Sequence, residues 1–403
     1  MIGLHEIEEA RKRLDEHVIY SPCTRSEAFS AEFEANVWFK LENLQLTGSF
    51  KERGALIKLL ELTPEERARG VIAASAGNHA QGVAYHAGRL GIPATIVMPD
   101  RTPLIKVSNT RSYGADVVLA GGNFDEAYAA ARRLQEDRGL VFVHPFDDDA
   151  VIAGQGTIGL ELLEQVPELD AAIVPVGGGG LISGIAVALK QSRPNVRVIG
   201  VQTAVLPSMK ASVEAGEPVK VPAGQTIADG IAVKQPGGRT LEYVKRWVDE
   251  ILVVDEEEIA NAILLLLERE KTVVEGAGAV TLAALLHGYG REVKGKNVAL
   301  VLSGGNIDMN LISRIIERGL VKGGRLTRFV VNVEDRPGSL ARLTALVAEQ
   351  QANIIEIHHD RAFGKAGYGE TEVLLTLETR GSDHVEAIHA ALEEAGYRIS
   401  DRP

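Results

Sequence analysis

Apolar residues follow two alternating rhythms along the chain. Short β-branched runs, VIAAS from position 71, ATIVM from 94, VVLA from 117, AAIVPV from 171, VRVIGVQ from 196, ILVV from 251 and NVALVLS from 297, are separated by longer stretches with apolar positions at helical spacing. Strands that are apolar on both faces need helices on both sides, so the pattern predicts an α/β protein with mainly parallel strands. Ligands in such a fold bind beyond the carboxyl ends of the strands. The pattern breaks at VKGGR, Val321 to Arg325, which reads as part of a linker. Beyond it the chain reads strand (Phe329 to Val333), helix (Ser339 to Gln350), strand (Asn353 to Arg361), strand (Thr371 to Glu378), helix (Asp383 to Ala395), strand (Tyr397 to Ile399). That order, βαββαβ, is ferredoxin-like. The expected domains are 1–320 and 327–403, joined by a linker at 321–326.

Composition narrows the function. With 403 residues and a net charge of −12, the chain is unsuited to broad contact with nucleic-acid phosphates. Cys23 is the one cysteine, which excludes an intramolecular disulfide framework and a Cys-rich metal site and fits the reducing cytoplasm. The N-terminal MIGLHEIEEARKRLDEHVIY mixes charge and apolar residues at helical spacing, so no export signal is expected. Ala171 to Leu189 is uncharged, but Pro175 and Gly177 to Gly180 interrupt it; a strand, a turn and a helix explain it better than a membrane span.

Candidate chemistry lies at the strand ends. In LENLQLTGSFKERGALIKLL, residues 41–60, Lys51 falls in the first turn of a helix, where the dipole disfavours a cation and leaves the amine more nucleophilic toward an aldehyde. Taken alone, it is equally an ordinary solvated lysine. SAGNHAQG follows the strand VIAA, so Ser75, Gly77 and Asn78 lie in a turn whose amides can hold a carboxylate. His79 beside them reads by itself as a structural histidine. PVGGGGLISG sets four glycines at a helix start, an arrangement suited to phosphate. It is not a dinucleotide fingerprint, because Gln202 stands where an acid should close the next strand. After the strand NVALVL comes Ser303, whose hydroxyl can meet a heteroaromatic nitrogen without protonating it, or simply cap a helix. An aldehyde, a phosphate and a pyridine nitrogen are the groups of pyridoxal 5′-phosphate.

With SFKERGA, SAGNHAQG, GGGGL and SGGN in this order, residues 1–320 resemble the fold-type II pyridoxal-phosphate enzymes, specifically the threonine dehydratases (threonine ammonia-lyases), with serine racemase a close cousin. The resemblance implies a tryptophan synthase β-like α/β fold of two open twisted subdomains, the small one at about 45–150 and the large one at 1–44 plus 151–320. It implies that Lys51 bonds covalently to the cofactor, that Phe50 lies beside the ring and that Asn78 meets the ring hydroxyl. Gly177, Gly178, Gly179, Gly180 and Leu181 would cradle the phosphate and Ser303 would meet the ring nitrogen, while Ser75, Ala76, Gly77, Asn78 and His79 would hold the substrate. The implied reaction turns L-threonine into 2-oxobutanoate and ammonia, with L-serine also accepted, and Lys51 removes the α-proton. In serine racemase a serine matches Ala76; alanine cannot donate a proton, so little racemisation is expected. Where the cousins place acidic metal ligands, this chain has Gln202 and Ser208, so no divalent-metal site is expected, which leaves open a carbonyl-lined site for a monovalent cation.

The stretch VEDRPGSLARL resembles an ACT domain, with an Asp-Arg-Pro-Gly turn before its first helix. The resemblance implies an amino-acid effector such as isoleucine or valine near Asp335, Arg336, Pro337, Gly338 and Ser339, or a purely oligomerising module, and a homo-oligomer, dimer or tetramer. His358 and His359 are neighbours on one strand, point to opposite faces and make poor joint metal ligands. Other readings are an L-serine or 3-hydroxyaspartate dehydratase, and a catalytically silent amino-acid sensor. No nucleic-acid or membrane partner is expected.

Overall fold

The apolar runs become strands of two sheets in the computed structural model, which describes residues 1–361 and 367–400. In chain order the strands are β1 (Cys23–Arg25), β2 (Asn36–Leu41), β3 (Val71–Ala74), β4 (Ala94–Met98), β5 (Asp116–Leu119), β6 (Val141–Phe142), β7 (Ala171–Pro175), β8 (Arg197–Thr203), β9 (Glu250–Val254) and β10 (Asn297–Leu302). The smaller sheet has the order β5-β4-β3-β6 and is parallel throughout. The larger, six-stranded sheet has the order β1-β2-β10-β7-β8-β9, parallel except for the antiparallel β1–β2 pair. Every residue of β3, β4 and β7 is buried, as strands covered by helices on both faces must be.

All the runs singled out in the sequence are strands, but β1, β2 and β6 carry no such signal. In β2, NVWFKL, the apolar pattern is broken by Lys40, which is wholly buried. Lys40 belongs to a network of charges inside the protein. Its Nζ donates to Glu161 Oε2 (2.5 Å), Ser21 O (2.6 Å) and Gln165 Oε1 (2.8 Å). Arg53 adds a two-pronged pair with Glu42, 2.8 Å on each prong, and a second with Glu161 at 2.5 and 3.0 Å. Two cations therefore face two carboxylates, tying the helix Lys51–Leu60 to the helix Asp149–Gln165 and to β2.

Two compact units divide the chain, Met1–Ile307 with both sheets and Asp308–Pro403. In the second, a helix Met309–Lys322 precedes β11 (Leu326–Glu334), so only residues 323–325 lie between them. A helix Ser339–Glu349, β12 (Asn353–Asp360), β13 (Glu370–Glu378), a helix Ser382–Glu394 and β14 (Arg398–Ser400) complete the ferredoxin-like succession. The sheet is antiparallel with the order β12-β13-β11-β14, over a core that includes Phe329, Val331, Leu343, Val373, Leu375 and Ile388. His358 and His359 pair with Leu374 and Val373, on opposite faces. Residues 362–366 and 401–403 of the expected ACT stretch lie outside the described residues. Among the described residues, no helix is long and apolar enough to cross a membrane.

Candidate active site

The loop before Lys51 is strapped to the end of β10. Ser49 bridges Gly304, and the Phe50 N–H donates to Ser303 O at 3.1 Å. This fixes Lys51 as the first residue of its helix, with no side-chain cap at Phe50. The ammonium donates to Pro145 O at 2.9 Å and lies 5.1 Å from the centre of the Phe50 ring. Burial pushes the amine down to about 8, with the nearby Glu275 carboxylate pulling the other way. The helix dipole named in the sequence argument acts in the same direction as burial. An amine so placed is neutral in part near pH 7 and competent to attack an aldehyde.

Asn78 begins the helix Asn78–Arg89 directly after the turn that follows β3. Its Nδ2 donates to Glu275 Oε1 at 2.8 Å, and its Oδ1 accepts from Asn306 Nδ2 at 2.8 Å. Glu275 is 3% exposed; burial pushes its carboxyl up to about 7, the Asp229 charge adds to this and the Asn78 hydrogen bond opposes it. In the turn, Ser75 Oγ accepts from the Gly77 N–H at 3.2 Å, and no side chain caps the helix. The Ser75 N–H donates to Val97 O at 3.1 Å, so what the turn offers a carboxylate is the Ala76 N–H and the uncapped start of the helix. His79 is buried, with Nε2 2.8 Å from Val143 O, so that nitrogen carries the hydrogen. Burial, reinforced by the Lys51 charge, pushes the ring down to about 3 and keeps it neutral, and Nδ1 has no partner among the described residues. The histidine ties the helix to the segment after β6.

The glycine turn after β7 ends in Gly179, whose φ of +97° makes it the N-cap of the helix Gly180–Ser192, again without a side-chain cap. Side chains are excluded here: a Cβ on Gly178 would lie 2.3 Å from the Phe146 ring, and one on Gly179 would lie 2.5 Å from Met209. Thr240 Oγ1 donates to Gly178 O at 2.6 Å and its N–H donates to Asp147 Oδ1 at 3.0 Å, which holds the turn from behind. Leu181 is buried in the first turn of the helix, and Ser303 is buried at the end of β10. Gln202 spends both ends of its amide internally, accepting from the Lys210 N–H at 2.9 Å and donating to Val176 O at 3.3 Å. Ser208 Oγ donates to Val233 O at 2.6 Å.

Lys51 with its lowered pKa, the uncapped glycine-lined helix start, the Ser75–Gly77 turn and Ser303 all belong to the unit Met1–Ile307. Residues 14–304 match the family model described as pyridoxal-phosphate dependent enzyme, and residues 327–394 match the ACT domain. The chain belongs to the pyridoxal-phosphate-dependent enzymes. Its C-terminal region is an ACT domain. It is 53% identical over 399 residues to an L-threonine ammonia-lyase of Thermotoga maritima, covering 99% of both chains, and 53% identical over 393 residues to one of Geobacter sulfurreducens, covering 98% of both. Among solved structures, a threonine deaminase from Solanum lycopersicum superposes with a TM-score of 0.74 at 39% identity over 78% of this chain and 91% of that one. Maize serine racemase gives 0.74 at 36% identity, over 79% and 98%.

The residues present fit the family's cofactor. The amine of lowered pKa suits its aldehyde, and the uncapped N–H groups at Gly180 suit its phosphate. Several residues of the site escape sequence reasoning. Glu275 is a lone acid in the otherwise small and apolar VVEGAGAV, which is a signal of a buried polar role, whereas Thr240 carries none. In the ACT domain, Gly338 (φ +89°) caps the helix Ser339–Glu349, Asp335 pairs with Arg361 at 2.8 Å, and Ser339 Oγ accepts from Arg342.

Proposed function

We propose that the protein is a threonine ammonia-lyase that converts L-threonine to 2-oxobutanoate and ammonia, accepts L-serine with release of pyruvate, and holds pyridoxal 5′-phosphate covalently through Lys51. The observation that carries this reading is the lysine amine, lowered to about 8, at an uncapped helix start, in a chain that matches L-threonine ammonia-lyases end to end. When bound, pyridoxal phosphate supplies an electron sink for the substrate's α-carbon.

This chain's own residues do the rest. The backbone turn Ser75, Ala76 and Gly77 orients the substrate carboxylate, beside Asn78 and with His79 holding the helix in place. Lys51 Nζ would be the base that removes the α-proton; a pKa lowered to about 8 keeps part of the free amine in the basic form. Phe50 would flank the cofactor ring, Asn78 would meet its hydroxyl, and the neutral hydroxyl of Ser303 would meet its nitrogen without delivering a full charge. Gly177, Gly178, Gly179, Gly180 and Leu181 would hold the phosphate. The Ala76 methyl offers no proton on the face away from Lys51, which favours loss of the β-hydroxyl over racemisation.

The ACT domain supports restraint by an amino acid such as isoleucine or valine, held around Asp335, Arg336, Pro337, Gly338 and Ser339, in a cytoplasmic homo-oligomer of two or four chains. The test is a substrate panel of threonine, serine and 3-hydroxyaspartate, assayed for the 2-oxo acid with and without isoleucine and valine. Release of 2-oxobutanoate from threonine, lost in Lys51→Ala, is expected. Absence of product from threonine overturns the assignment, and a rate indifferent to every amino acid overturns the effector role.

A further inference from the structure

We propose that Asn306 is a positioning residue that sets which way the Asn78 amide faces, with Glu275 receiving the end so set. This deepens the proposed function and rests on its reading of Lys51 and Asn78 as cofactor ligands. The argument is one of donors and acceptors. Thr47 presents a backbone carbonyl, which can only accept, so the Asn306 atom 2.8 Å from it must be the amide nitrogen. That nitrogen also lies 2.8 Å from the Asn78 side chain. With one N–H given to Thr47 and the other to Asn78, the Asn78 atom it meets must be Oδ1. Asn78 Nδ2 is thereby turned to Glu275 Oε1, 2.8 Å away. The reversed amide would oppose two donors at Asn306 and, with Glu275 ionised, two acceptors at Glu275.

Asn78 Nδ2 has two hydrogens, and Glu275 takes one of them. The second has no protein acceptor among the described residues and is the one donor this side chain can offer a ligand. The chain of bonds extends in the other direction as well. The Thr47 N–H and hydroxyl both donate to Glu52 Oε2 at 2.7 Å. Hydrogen bonds thus run outward from Asn306 to a buried carboxyl at either end, and each link polarises the next. Glycines make room for this line: a Cβ on Gly48, where φ is +75°, would lie 2.6 Å from Asn306 Oδ1, and one on Gly304 would lie 2.5 Å from Glu275 Oε1. The two glycines and Asn306 come from the motifs that flank Lys51 and Ser303, so one line of bonds reaches from the lysine loop to the strand end.

The test compares wild type, Asn306→Asp, Asn306→Ala and Glu275→Gln as apoenzymes titrated with pyridoxal phosphate. The readouts are the dissociation constant, the ratio of visible to near-ultraviolet absorbance of the loaded protein, and the melting temperature of the apoenzyme. Asn306→Asp presents only acceptors, so Asn78 turns over to donate to it and withdraws its free N–H. Affinity is then expected to fall about tenfold, the size of one lost hydrogen bond, and the visible share of the absorbance to fall with it. Glu275→Gln still offers an acceptor and is expected to stay within about threefold of wild type. Should Asn306→Asp fail to fold, Asn306→Ala decides, with a fall in affinity and a changed band ratio expected in a variant whose melting transition shows it to be folded. Unchanged affinity and band ratio in the Asn306 variants overturn the proposal, as does a Glu275→Gln variant as weak as Asn306→Asp. Borohydride labelling of wild type at a lysine other than 51 instead overturns the underlying reading, whatever the Asn306 variants do.

Discussion

Replacing Arg53 by leucine tests whether the buried charges anchor the helix that carries Lys51. Arg53 is 1% exposed and Glu42 is fully buried. Burial pushes the Glu42 carboxyl up, but the Arg53 charge and its hydrogen bonds more than offset this and hold it below the ordinary value of 4.5. Without Arg53, Glu42 keeps among the described residues the Ser21 hydroxyl at 2.5 Å and Gln45 Nε2 at 3.3 Å, with Lys40 acting on it only through space. Glu161 retains Lys40. Breaking such a pair by removing one partner costs about 3–5 kcal/mol, because a desolvated charge is left behind. At about 2 °C per kcal/mol for a unit of this size, Arg53→Leu is expected to melt roughly 6–10 °C below wild type by circular dichroism at one fixed scan rate. Glu42→Gln added to Arg53→Leu removes the orphaned charge and is expected to recover a measurable part of the loss. Because the folded carboxyl pKa is depressed, the contribution is complete above pH 4.5 and fades as pH falls through the lower folded value, so the deficit of the single variant shrinks in acid. A variant melting within about 1 °C of wild type, or a double variant no better than the single, refutes the reasoning.

Four further outcomes follow from the site. Thr240→Val removes the hydroxyl that holds the Gly178 carbonyl at 2.6 Å and is expected to weaken cofactor binding about threefold to tenfold in an apoenzyme titration; no change contradicts a bracing role. Uptake of pyridoxal phosphate by the apoenzyme is expected to accelerate as pH rises through about 8, because the neutral amine attacks, and a profile flat across that value contradicts the lowered pKa of Lys51. Ala76→Ser is expected to raise the ratio of racemisation to elimination, read by chiral chromatography of residual serine; an unchanged ratio counts against the proton-donor argument. Treatment with a chelator of divalent cations is expected to leave the threonine rate unaltered, since Gln202 satisfies both ends of its amide within the protein; a rate restored only by added divalent metal contradicts this.

What could be read from the sequence was what lies close together in it. Apart from β2, each inner strand is a run apolar on both faces, and the helix starts at Lys51, Asn78 and Gly180 follow strand ends or glycines, so local pattern located them. β2 escaped because its buried Lys40 makes a core strand look half exposed, and its neutralising partner Glu161 is 121 residues away. Arg53 and Glu42 pair with each other across eleven residues, but the second carboxylate on Arg53, Glu161, is 108 residues away and is brought there only by the fold. Glu275 and Asn306 acquire meaning only through Asn78, 197 and 228 residues away in sequence. His79, which by itself reads as a structural histidine, bonds Val143 O through its ring and is held neutral by burial.

The most direct test of the account is to load the protein with pyridoxal 5′-phosphate, reduce it with borohydride and map the modified residue by peptide mass spectrometry. The account predicts a single phosphopyridoxyl group on the ε-nitrogen of Lys51, with Lys51→Ala taking up none. A stable adduct on any other lysine, with Lys51 unmodified, contradicts it.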